Sequence, residues 1–384
     1  MDGVSLAKRY YSFNASKADI VIDKLFIEKE IKDHPKTKAI GTHLNVPQKI
    51  IDSVDELYQQ FTSCNDPVKA GKRVLLLCKN KGVFIRKCPG TREYTCCDYT
   101  ILHVGTFCTM DCSYCILQVY FHPPILKYFI NHDDLEKELK ALFKTPGIHR
   151  IGTGEFTDSM IWELYTDLST FLVPLFSKQN RAVLELKTKT IAVDRLQQLP
   201  HRRKTICAWS LNTPKVIATE ERATASLNAR LRAAEKCESW GYPLAFHFDP
   251  MVIYEGCEDD YIKVVQQIFK SVSPNNIVWI SLGTFRFIPS LKTIIQKRFH
   301  HSKMIYGEFI PGLDGKMRYF KPLRIKLYQK VVAAIKSLAP NVTIYFCMED
   351  DEVWKKSLGF VPDERGGLAA MLDQSAIDKC HLSP

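Results

Sequence analysis

Residues 108–115 read Cys108-Thr109-Met110-Asp111-Cys112-Ser113-Tyr114-Cys115, with three cysteines in eight positions. The spacing C-x3-C-x2-C suits a tight loop whose three thiolates bind three irons of a cubane [4Fe–4S] cluster. The fourth iron then has no protein ligand, and an open position on a metal centre is typical of a chemical site rather than a structural one. The alternatives are a zinc knuckle completed by His103 or His122, or three unrelated buried thiols.

A predicted strand leads directly into this cysteine loop. Residues 99–104 (Tyr-Thr-Ile-Leu-His-Val) have the apolar character of a strand, and Gly105 ends it. In α/β barrels, the chemistry is placed in loops that follow the carboxyl ends of strands. The position of the loop therefore indicates a barrel and weakens the zinc-knuckle interpretation.

Strand-like and helix-like segments alternate along the chain beyond Cys115. Strands are predicted at 99–104, 148–152, 182–186, 205–211, 244–248 and 277–282, with a later one at 342–346. Helices are predicted between them at 133–144, 160–179, 225–240 and 259–272. Buried parallel strands separated by helices form a barrel or a doubly wound sheet, so the fold class is α/β.

Three regions are expected. Residues 1–90 are predicted to form an N-terminal α/β layer, with a helix over 50–61 and short strands at 72–78 and 83–85. Residues 91–285 are expected to form the barrel. Residues 286–384 are expected to complete it as a basic C-terminal extension that supplies a substrate and nucleic-acid face.

Bulk composition excludes several classes of protein. Hydrophobic residues make up 46% and charged residues 25% of the chain, as in ordinary globular proteins. No apolar run approaches the roughly 18 residues of a membrane span, and residues 1–17 are too polar for a secretory signal. Thirteen cysteines in an unexported chain predict thiols and metal ligands rather than disulfides. We expect a cytoplasmic protein.

Positive charge is concentrated towards the C-terminus. The formal net charge is +11, and residues 286–330 hold 11 Lys and Arg against Glu308 and Asp314, a local net charge of +9. Aromatic residues are interleaved with them. Basic side chains bind phosphates and aromatic faces stack on bases, so the segment predicts a nucleic-acid surface. The alternative is a solvated basic face over ordinary core aromatics. The candidate nucleic-acid contacts are Arg318, Tyr319, Lys321 and Arg324.

The cysteine loop and its position resemble the signature of the radical S-adenosylmethionine (SAM) superfamily, which has a partial (β/α)6 barrel like that of TIM-type folds. The resemblance implies that the open iron binds the amino and carboxylate groups of SAM. One electron then cleaves SAM to a 5′-deoxyadenosyl radical, which abstracts a hydrogen atom. An aromatic residue usually precedes the last cysteine, and Tyr114 holds that position here.

The second predicted strand ends in Gly152-Thr153-Gly154-Glu155, which resembles the glycine-glycine-glutamate element of the same superfamily. Glycines let a ligand approach the backbone closely, and a carboxylate pairs with an ammonium group. We therefore assign Gly154 and Glu155 to the amino group of SAM. An ordinary turn is the alternative.

Polar residues also end the next three strands. Lys187 and Lys189 alternate in phase, and a lysine pointing inward there would hold a carboxylate. A solvent-facing pair is the alternative. Ser210 and Asn212 share a face that suits hydrogen bonds to a ribose. The fifth strand contributes the polar pair His247-Phe248-Asp249, whose role is left open.

A closer resemblance is to the spore photoproduct lyase family. It rests on four stretches: the approach Cys88-Pro89-Gly90-Thr91 with Cys96-Cys97, the run 187–190 (Lys-Thr-Lys-Thr), 209–212 (Trp-Ser-Leu-Asn) and 246–250 (Phe-His-Phe-Asp-Pro). In that family the adenosyl radical takes hydrogen from 5-thyminyl-5,6-dihydrothymine in DNA and two thymines are restored. The resemblance places Lys189, Ser210 and Thr157 at SAM and the segment around Arg318 at the lesion strand. It also implies an electron donor such as flavodoxin or ferredoxin.

The chain departs from that family at two positions. Members place a hydrogen-donating cysteine at the end of the second strand, where this chain has Glu155, and a tyrosine after the last cluster cysteine, where this chain has Ile116. Tyr114 remains as a candidate catalytic residue. Either the donor is another thiol, Cys207 on the fourth strand or the pair Cys96 and Cys97, or the reaction differs from that of the family.

Three functions are compatible with these patterns. The first is a radical SAM lyase that repairs a thymine-dimer lesion in DNA. The second is a radical SAM enzyme acting on an RNA base, a peptide or a metabolite. The third is a non-catalytic iron–sulfur protein that binds nucleic acid. The basic segment favours the first.

Overall fold

The computed structural model describes residues 22–91 and 93–383, so the expectation for residues 1–17 lies outside the described residues. The strands are β1 Lys24–Glu28, β2 Gln48–Ile51, β3 Val74–Cys78, β4 Ile85–Lys87, β5 Thr100–Leu102, β6 Gly105–Thr106, β7 Asp111–Cys112, β8 Leu126–Phe129, β9 His149–Gly152, β10 Ala182–Thr188, β11 Thr205–Ser210, β12 Glu221–Arg222, β13 Leu244–Met251, β14 Ile277–Thr284, β15 Arg286–Phe287, β16 Phe309–Pro311, β17 Met317–Tyr319 and β18 Ile344–Phe346. The α-helices are α1 Pro35–Leu44, α2 Asp55–Thr62, α3 Pro67–Gly71, α4 Leu117–Tyr120, α5 His132–Leu142, α6 Leu168–Phe176, α7 Pro214–Glu220, α8 Leu227–Ser239, α9 Cys257–Ser271, α10 Pro289–Arg298, α11 Lys321–Leu338, α12 Asp351–Leu358 and α13 Leu368–Cys380.

An eight-stranded sheet in the order β18-β14-β13-β11-β10-β9-β5-β4 forms the centre of the fold. Its strands are parallel except for β4, which pairs antiparallel with β5. The first six predicted strands correspond to β5, β9, β10, β11, β13 and β14, which are adjacent to one another in this sheet. The predicted strand at 342–346 corresponds to β18. Parallel neighbours need crossover connections, which the helices supply. The partial α/β barrel is therefore confirmed.

A second sheet in the order β2-β1-β3-β8-β6 forms the N-terminal layer. Two of its strands, β6 and β8, come from the chain on either side of the cysteine loop rather than from residues before 90. The cysteine loop therefore lies between the N-terminal layer and the barrel. In this position the cysteines reach the cavity at the ends of the barrel strands.

Two predicted helices are wrong in part. Residues 48–51 form strand β2 beside β1, and the helix starts only at Asp55, whose backbone N–H donates to the Ser53 hydroxyl at 3.1 Å. The predicted helix 160–179 is divided into a 3-10 turn, Ile161–Leu164, and α6. The division lies at Thr166, whose hydroxyl accepts from the Leu168 N–H at 3.3 Å and so competes with helical hydrogen bonding.

The basic C-terminal region has a small core of its own. Strands β15, β17 and β16 form a three-stranded sheet over a second apolar cluster, in which Phe285, Phe287, Phe299 and Tyr319 are buried. These aromatic residues therefore pack together and do not present faces to bases. Within the described ranges, no helix combines the length and apolar character needed to cross a membrane.

Candidate functional site

A cavity of about 360 Å3 opens where the barrel strands end. Its wall is built from the cysteine loop on one side and the carboxyl ends of β9, β10, β11 and β13 on the other, which is where α/β barrels bind their ligands. The sequence-predicted residues that line it are Cys108, Cys112, Tyr114, Cys115, Gly154, Glu155, Thr157, Lys187, Lys189, Ser210, His247 and Asp249.

A buried lysine holds the cysteine loop by hydrogen bonds to its carbonyl groups. Lys72, whose side chain is 2% exposed, donates to the carbonyl of Cys108 at 2.9 Å and to that of Met110. Its ammonium also lies 4.5 Å from the centroid of the Phe107 ring and 3.8 Å from Asp111. A cation bonded to two loop carbonyls fixes their direction, and with it the direction of the neighbouring thiols.

Two further side chains hold the other end of the loop. Gln118 donates to the carbonyls of Cys112, Ser113 and Cys115 at 3.1–3.2 Å. Arg298, from α10, bonds in turn to the Gln118 side chain and to Asp111. The loop is thus tied to both the N-terminal layer and the C-terminal region.

Tyr114 joins the cavity to a buried ion pair. Its hydroxyl donates to Glu221, which also pairs with Arg230 at 2.6 Å, and both members of that pair are at most 1% exposed. Burial, and then the nearby negative charge of Glu221, raise the pKa of Tyr114 well above its ordinary value. The phenol therefore keeps its proton at neutral pH and has a carboxylate beside it.

On the opposite wall, Gly154 makes room for a lysine. A Cβ at this glycine would lie 3.2 Å from the Lys187 side chain, tighter than ordinary contacts. Burial acts to lower the pKa of Lys187, but the charges of Glu155, Glu185 and Asp249 outweigh it and raise the pKa. Lys187 is therefore a cation within an acidic group of side chains at the mouth of the barrel.

Two predicted site residues, Asn212 and Cys207, do not line the cavity. Asn212 is 1% exposed and does not line the cavity; its oxygen accepts from Tyr261 at 2.7 Å, and its nitrogen donates to Pro250 at 2.8 Å. Cys207 points away from the cavity and contacts Cys237 of α8. Thr157 lines the cavity, as predicted, although its hydroxyl also donates weakly to the Asp158 carbonyl. The structure thus argues against Asn212 as a ribose ligand and Cys207 as a hydrogen donor.

The two arginines predicted to contact nucleic acid are buried. Arg318 is 2% exposed and pairs with Asp314 at 2.7 Å, and Arg324 is 2% exposed and pairs with Glu349 at 3.0 Å. Tyr319 is 1% exposed, and its ring stacks on Phe309 with centroids 4.3 Å apart. None of these three groups is available to a phosphate or base.

Lys321, the fourth predicted contact, is partly exposed but engaged. Its ammonium lies 2.9 Å from Asp350 and 2.8 Å from Glu352. Seven of the 11 basic residues in 286–330 are paired in this way, mostly with carboxylates outside the segment: Arg286, Arg298, Lys316, Arg318, Lys321, Arg324 and Lys326. The local net charge of +9 therefore overstates the basic character of this surface.

The cavity-wall residues that sequence reasoning did not assign to the site include Tyr99, Asp158, Arg286 and Cys347. The Tyr99 hydroxyl is buried without a hydrogen-bond partner among the described residues. Arg286 pairs with Asp249 at 3.2 Å and donates to the Cys347 sulfur at 3.2 Å. Only the position of Cys347 directly after the predicted strand 342–346 was a signal in the sequence.

The donor set fits an iron–sulfur cluster with a small cationic ligand beside it. Three thiols from one short loop share a cavity with Glu155 and with the unpartnered hydroxyl of Tyr99. Burial raises the pKa of Cys108 to about 12, so a metal must displace the thiol proton on binding. Thiolates suit iron, and carboxylates suit an ammonium group.

Comparison with known proteins gives a consistent result. A model of the family described as Spore photoproduct lyase matches residues 69–329. Spore photoproduct lyase of Geobacillus sp. (strain Y412MC61) is 26% identical over 223 residues, 57% of this chain and 63% of the relative. That of Bacillus subtilis (strain 168) is 26% identical over 254 residues, 63% of this chain and 74% of the relative. The match thus spans less than two thirds of the length of the Geobacillus relative.

Solved structures show the same fold. A double mutant of spore photoproduct lyase with bound AdoMet (SAM) and dinucleoside spore photoproduct has a TM-score of 0.75 at 22% identity. The alignment covers 85% of this chain and 99% of that one. At this identity the similarity establishes the fold.

Proposed function

Because the chain belongs to the spore photoproduct lyase family, we propose that it is a radical SAM lyase that repairs a thymine dimer of the spore photoproduct type in DNA. One observation carries this proposal: Cys108, Cys112 and Cys115 line the same cavity as the strand-end residues Glu155 and Lys189. Radical SAM chemistry needs a cluster with an open iron next to a pocket that holds both SAM and the substrate.

Each side of the cavity has a proposed ligand. When bound, a [4Fe–4S] cluster supplies the electron that splits SAM into methionine and a 5′-deoxyadenosyl radical. The three loop cysteines would hold the cluster. Glu155 would bind the amino group of SAM, and Lys189, whose ammonium lies 5.8 Å from the centroid of the Tyr114 ring, would bind its carboxylate. Ser210 and Thr157 would bind SAM through their hydroxyls.

The proposed repair requires one hydrogen atom at its last step. In the proposed reaction, hydrogen would first be removed from C6 of the dihydrothymine half. The bond from C5 to the bridging methylene then breaks, and the methylene radical must gain hydrogen to become a thymine methyl. Glu155 cannot give this atom, because a carboxyl group loses its hydrogen as a proton. The Tyr114 phenol, which donates a hydrogen bond to Glu221, remains our proposed relay: it would give its hydrogen atom to the methylene radical, and the phenoxyl radical left behind would regain an electron from the proposed electron donor and a proton from solvent.

The test is an anaerobic assay with reconstituted protein, dithionite, SAM and DNA that contains the spore lesion. We expect 5′-deoxyadenosine to form together with loss of the lesion. SAM cleavage with the lesion intact would reject the repair function and leave a radical SAM enzyme with another substrate, such as an RNA base or a peptide. A cluster without any SAM cleavage would point to a non-catalytic protein. A flavodoxin or ferredoxin donor and a cytoplasmic location are further proposals.

Glu155→Ala should weaken SAM binding. The carboxylate lines the cavity, where an ion pair with an ammonium is shielded from bulk water. We expect the dissociation constant for SAM to rise at least about tenfold, which is about 1.4 kcal/mol. Equilibrium dialysis with labelled SAM measures this, with the exposed Glu235→Ala as the matched control. An unchanged constant would remove Glu155 from the SAM site.

The DNA surface is proposed to lie on the exposed lysines around α10 rather than on Arg318 and Arg324. Lys297 and Lys303 are exposed, and no carboxylate of the described residues pairs with either. Met304 next to them contacts Ser113 of the cysteine loop, with the Ser113 hydroxyl 3.4 Å from its sulfur. These lysines therefore flank the site.

Replacing both Lys297 and Lys303 by alanine should weaken DNA binding at low salt. Each phosphate contact contributes about one to the slope of log K against log salt, so we expect the slope to fall by about two. Fluorescence anisotropy across a salt series measures it. Lys178 is exposed and precedes β10 at the other end of the barrel. The control Lys178→Ala should change neither the DNA affinity at low salt nor the salt slope. An unaltered slope in the double variant would place the DNA elsewhere.

A further inference from the structure

A buried aspartate joins two parts of the cavity wall. Asp158 lines the cavity and is 9% exposed. It belongs to residues 153–159, which follow β9 and which we call the β9 loop; this loop carries Glu155 and Thr157. The other part is the chain at the end of β10, which carries Lys189. The proposed SAM ligands thus come from two separate segments, and Asp158 lies where these segments meet.

The Asp158 carboxylate accepts three hydrogen bonds from neutral donors. One oxygen accepts from the Met160 N–H at 2.9 Å and from the Thr188 hydroxyl at 2.8 Å. The other oxygen accepts from the Lys189 N–H at 2.9 Å. The bond to Met160 closes an ordinary Asx turn, but Thr188 and Lys189 lie 30 and 31 residues further along the chain. The carboxylate therefore ties the β9 loop to the backbone that presents Lys189.

Other contacts attach the β9 loop to both of its neighbours. The Ser159 N–H donates to the Lys187 carbonyl at 3.1 Å, and the Ser159 hydroxyl accepts from the Lys187 N–H at 3.0 Å. The Phe156 carbonyl accepts from the N–H of Phe107, the residue before Cys108, at 2.8 Å. The β9 loop therefore connects the cysteine loop to the end of β10.

A buried carboxylate is a costly way to close a turn. Burial raises the pKa of Asp158, and the hydrogen bonds from Thr188, Lys189 and Met160 act in the opposite direction. An asparagine could close the same turn with its oxygen, but its amide nitrogen cannot accept a hydrogen bond. Only an ionised carboxylate accepts on both oxygens, and here one of them is used for the Lys189 N–H. The charged form is therefore required by the contact with β10 and not by the turn.

We propose that Asp158 is a positioning residue for SAM, acting through Lys189 rather than by contact with SAM itself. This inference rests on the proposed function, in which Glu155 binds the amino group of SAM and Lys189 binds its carboxylate. Both groups are bonded to the same carbon atom, so the two side chains that bind them must keep a fixed separation. The hydrogen bond from Asp158 to the Lys189 backbone sets this separation, as supporting residues do in other preorganised sites.

The experiment is equilibrium dialysis of labelled SAM against anaerobically reconstituted, full-length Asp158→Asn. The amide keeps the size of the side chain but turns an N–H donor towards the Lys189 N–H, so residue 189 must shift. We expect the dissociation constant for SAM to rise about tenfold or more, as when other groups that orient a ligand-binding residue are removed.

Glu163→Gln is the matched control. Glu163 is also a buried carboxylate, and it accepts from the Ser169 N–H at 3.2 Å and from the Ser169 hydroxyl at 2.6 Å. It does not line the cavity. Its replacement removes one buried charge, as Asp158→Asn does, and should leave the dissociation constant for SAM unchanged. An equal rise in both variants would show a general structural effect and overturn the positioning role.

A double-mutant cycle with Lys189→Met tests whether Asp158 acts through Lys189. In the Lys189→Met background, Asp158→Asn should change the dissociation constant by less than about twofold, because the group that it positions is already absent. Decarboxylated SAM, which lacks the group that Lys189 would bind, should likewise bind wild type and Asp158→Asn equally. Losses that simply add in the double variant would overturn the proposal.

The possible outcomes separate this inference from the proposed function. Wild-type protein that binds no SAM would refute the radical SAM function and this inference with it. SAM binding with the same constant in wild type and Asp158→Asn would refute only the positioning role. If Asp158→Asn fails to fold, Thr188→Val removes one of the three donors and should still raise the constant by about threefold. An unchanged constant in that variant would equally reject the proposal.

Discussion

Replacing any one of Cys108, Cys112 and Cys115 by alanine is expected to abolish SAM cleavage. A cubane that already leaves one iron to SAM has no protein ligand to spare, so two thiolates cannot hold it. Lys72 and Gln118 hold the loop carbonyls by hydrogen bonds, which opposes a shift of the loop towards another thiol. We expect 5′-deoxyadenosine formation to fall to background, measured by chromatography after incubation with SAM and dithionite.

The control for this result is Cys237→Ala. Cys237 is buried against Cys207 behind the barrel strands and does not line the cavity. Its replacement removes one buried sulfur, as the cluster variants do, without touching the site. SAM cleavage retained in any cluster variant would contradict the assignment of the loop. Equal loss in Cys237→Ala would show that cleavage had been lost through misfolding.

Arg324→Ala is expected to destabilise the protein by about 3–5 kcal/mol, because it breaks a buried ion pair and leaves a buried charge. Arg324 bonds to both carboxylate oxygens of Glu349 at 3.0–3.1 Å, and the side chains are 3% and 2% exposed. The Tyr328 hydroxyl, which also donates to Glu349 at 2.8 Å, cannot compensate alone. Urea unfolding of the cofactor-free protein measures the change as a shift of the midpoint.

Two comparisons separate a structural from a nucleic-acid role of Arg324. Lys326→Ala, two residues away, removes an exposed cation and should leave the midpoint nearly unchanged. Arg324→Met with Glu349→Leu replaces both charges by apolar groups, which is often neutral for stability, and should recover most of the loss. If Arg324→Ala kept its stability and lost DNA affinity at 25 °C, the arginine would have to contact phosphate after all.

The exposed positive charge of the segment 286–330 could not be predicted from the sequence. Counting residues 286–330 yields a strongly positive stretch, yet Arg286, Arg298 and Arg324 meet carboxylates from distant parts of the chain. A charge count over residues 286–330 includes only the acidic residues within that segment. Ion pairs depend on distance in space, so the exposed cations could be identified only after folding.

Patterns of neighbouring residues were sufficient to predict the barrel strands and the cysteine loop. The six barrel strands and the late strand at 342–346 were predicted because a strand buried on both faces is apolar throughout, which is a property of adjacent residues. The cysteine loop was recognised for the same reason, since three ligands for one cluster lie within eight positions. Cys207, the candidate thiol of the fourth strand, does not line the cavity, because alternation along a strand does not say which face is turned to the helices.

The sequence by itself determined the α/β class, the order of the strands along the chain, the cysteine loop and the glutamate and lysines that share its cavity. Only the tertiary structure decided which thiols and charges meet. Cys88 and Cys347 line the same cavity although they lie far apart in the chain. Arg318, expected to contact DNA, is buried, pairs with Asp314 and donates to the Met348 carbonyl. The physical reason is that secondary structure follows from interactions between near residues, whereas sites and ion pairs form between residues that only the packed fold brings together.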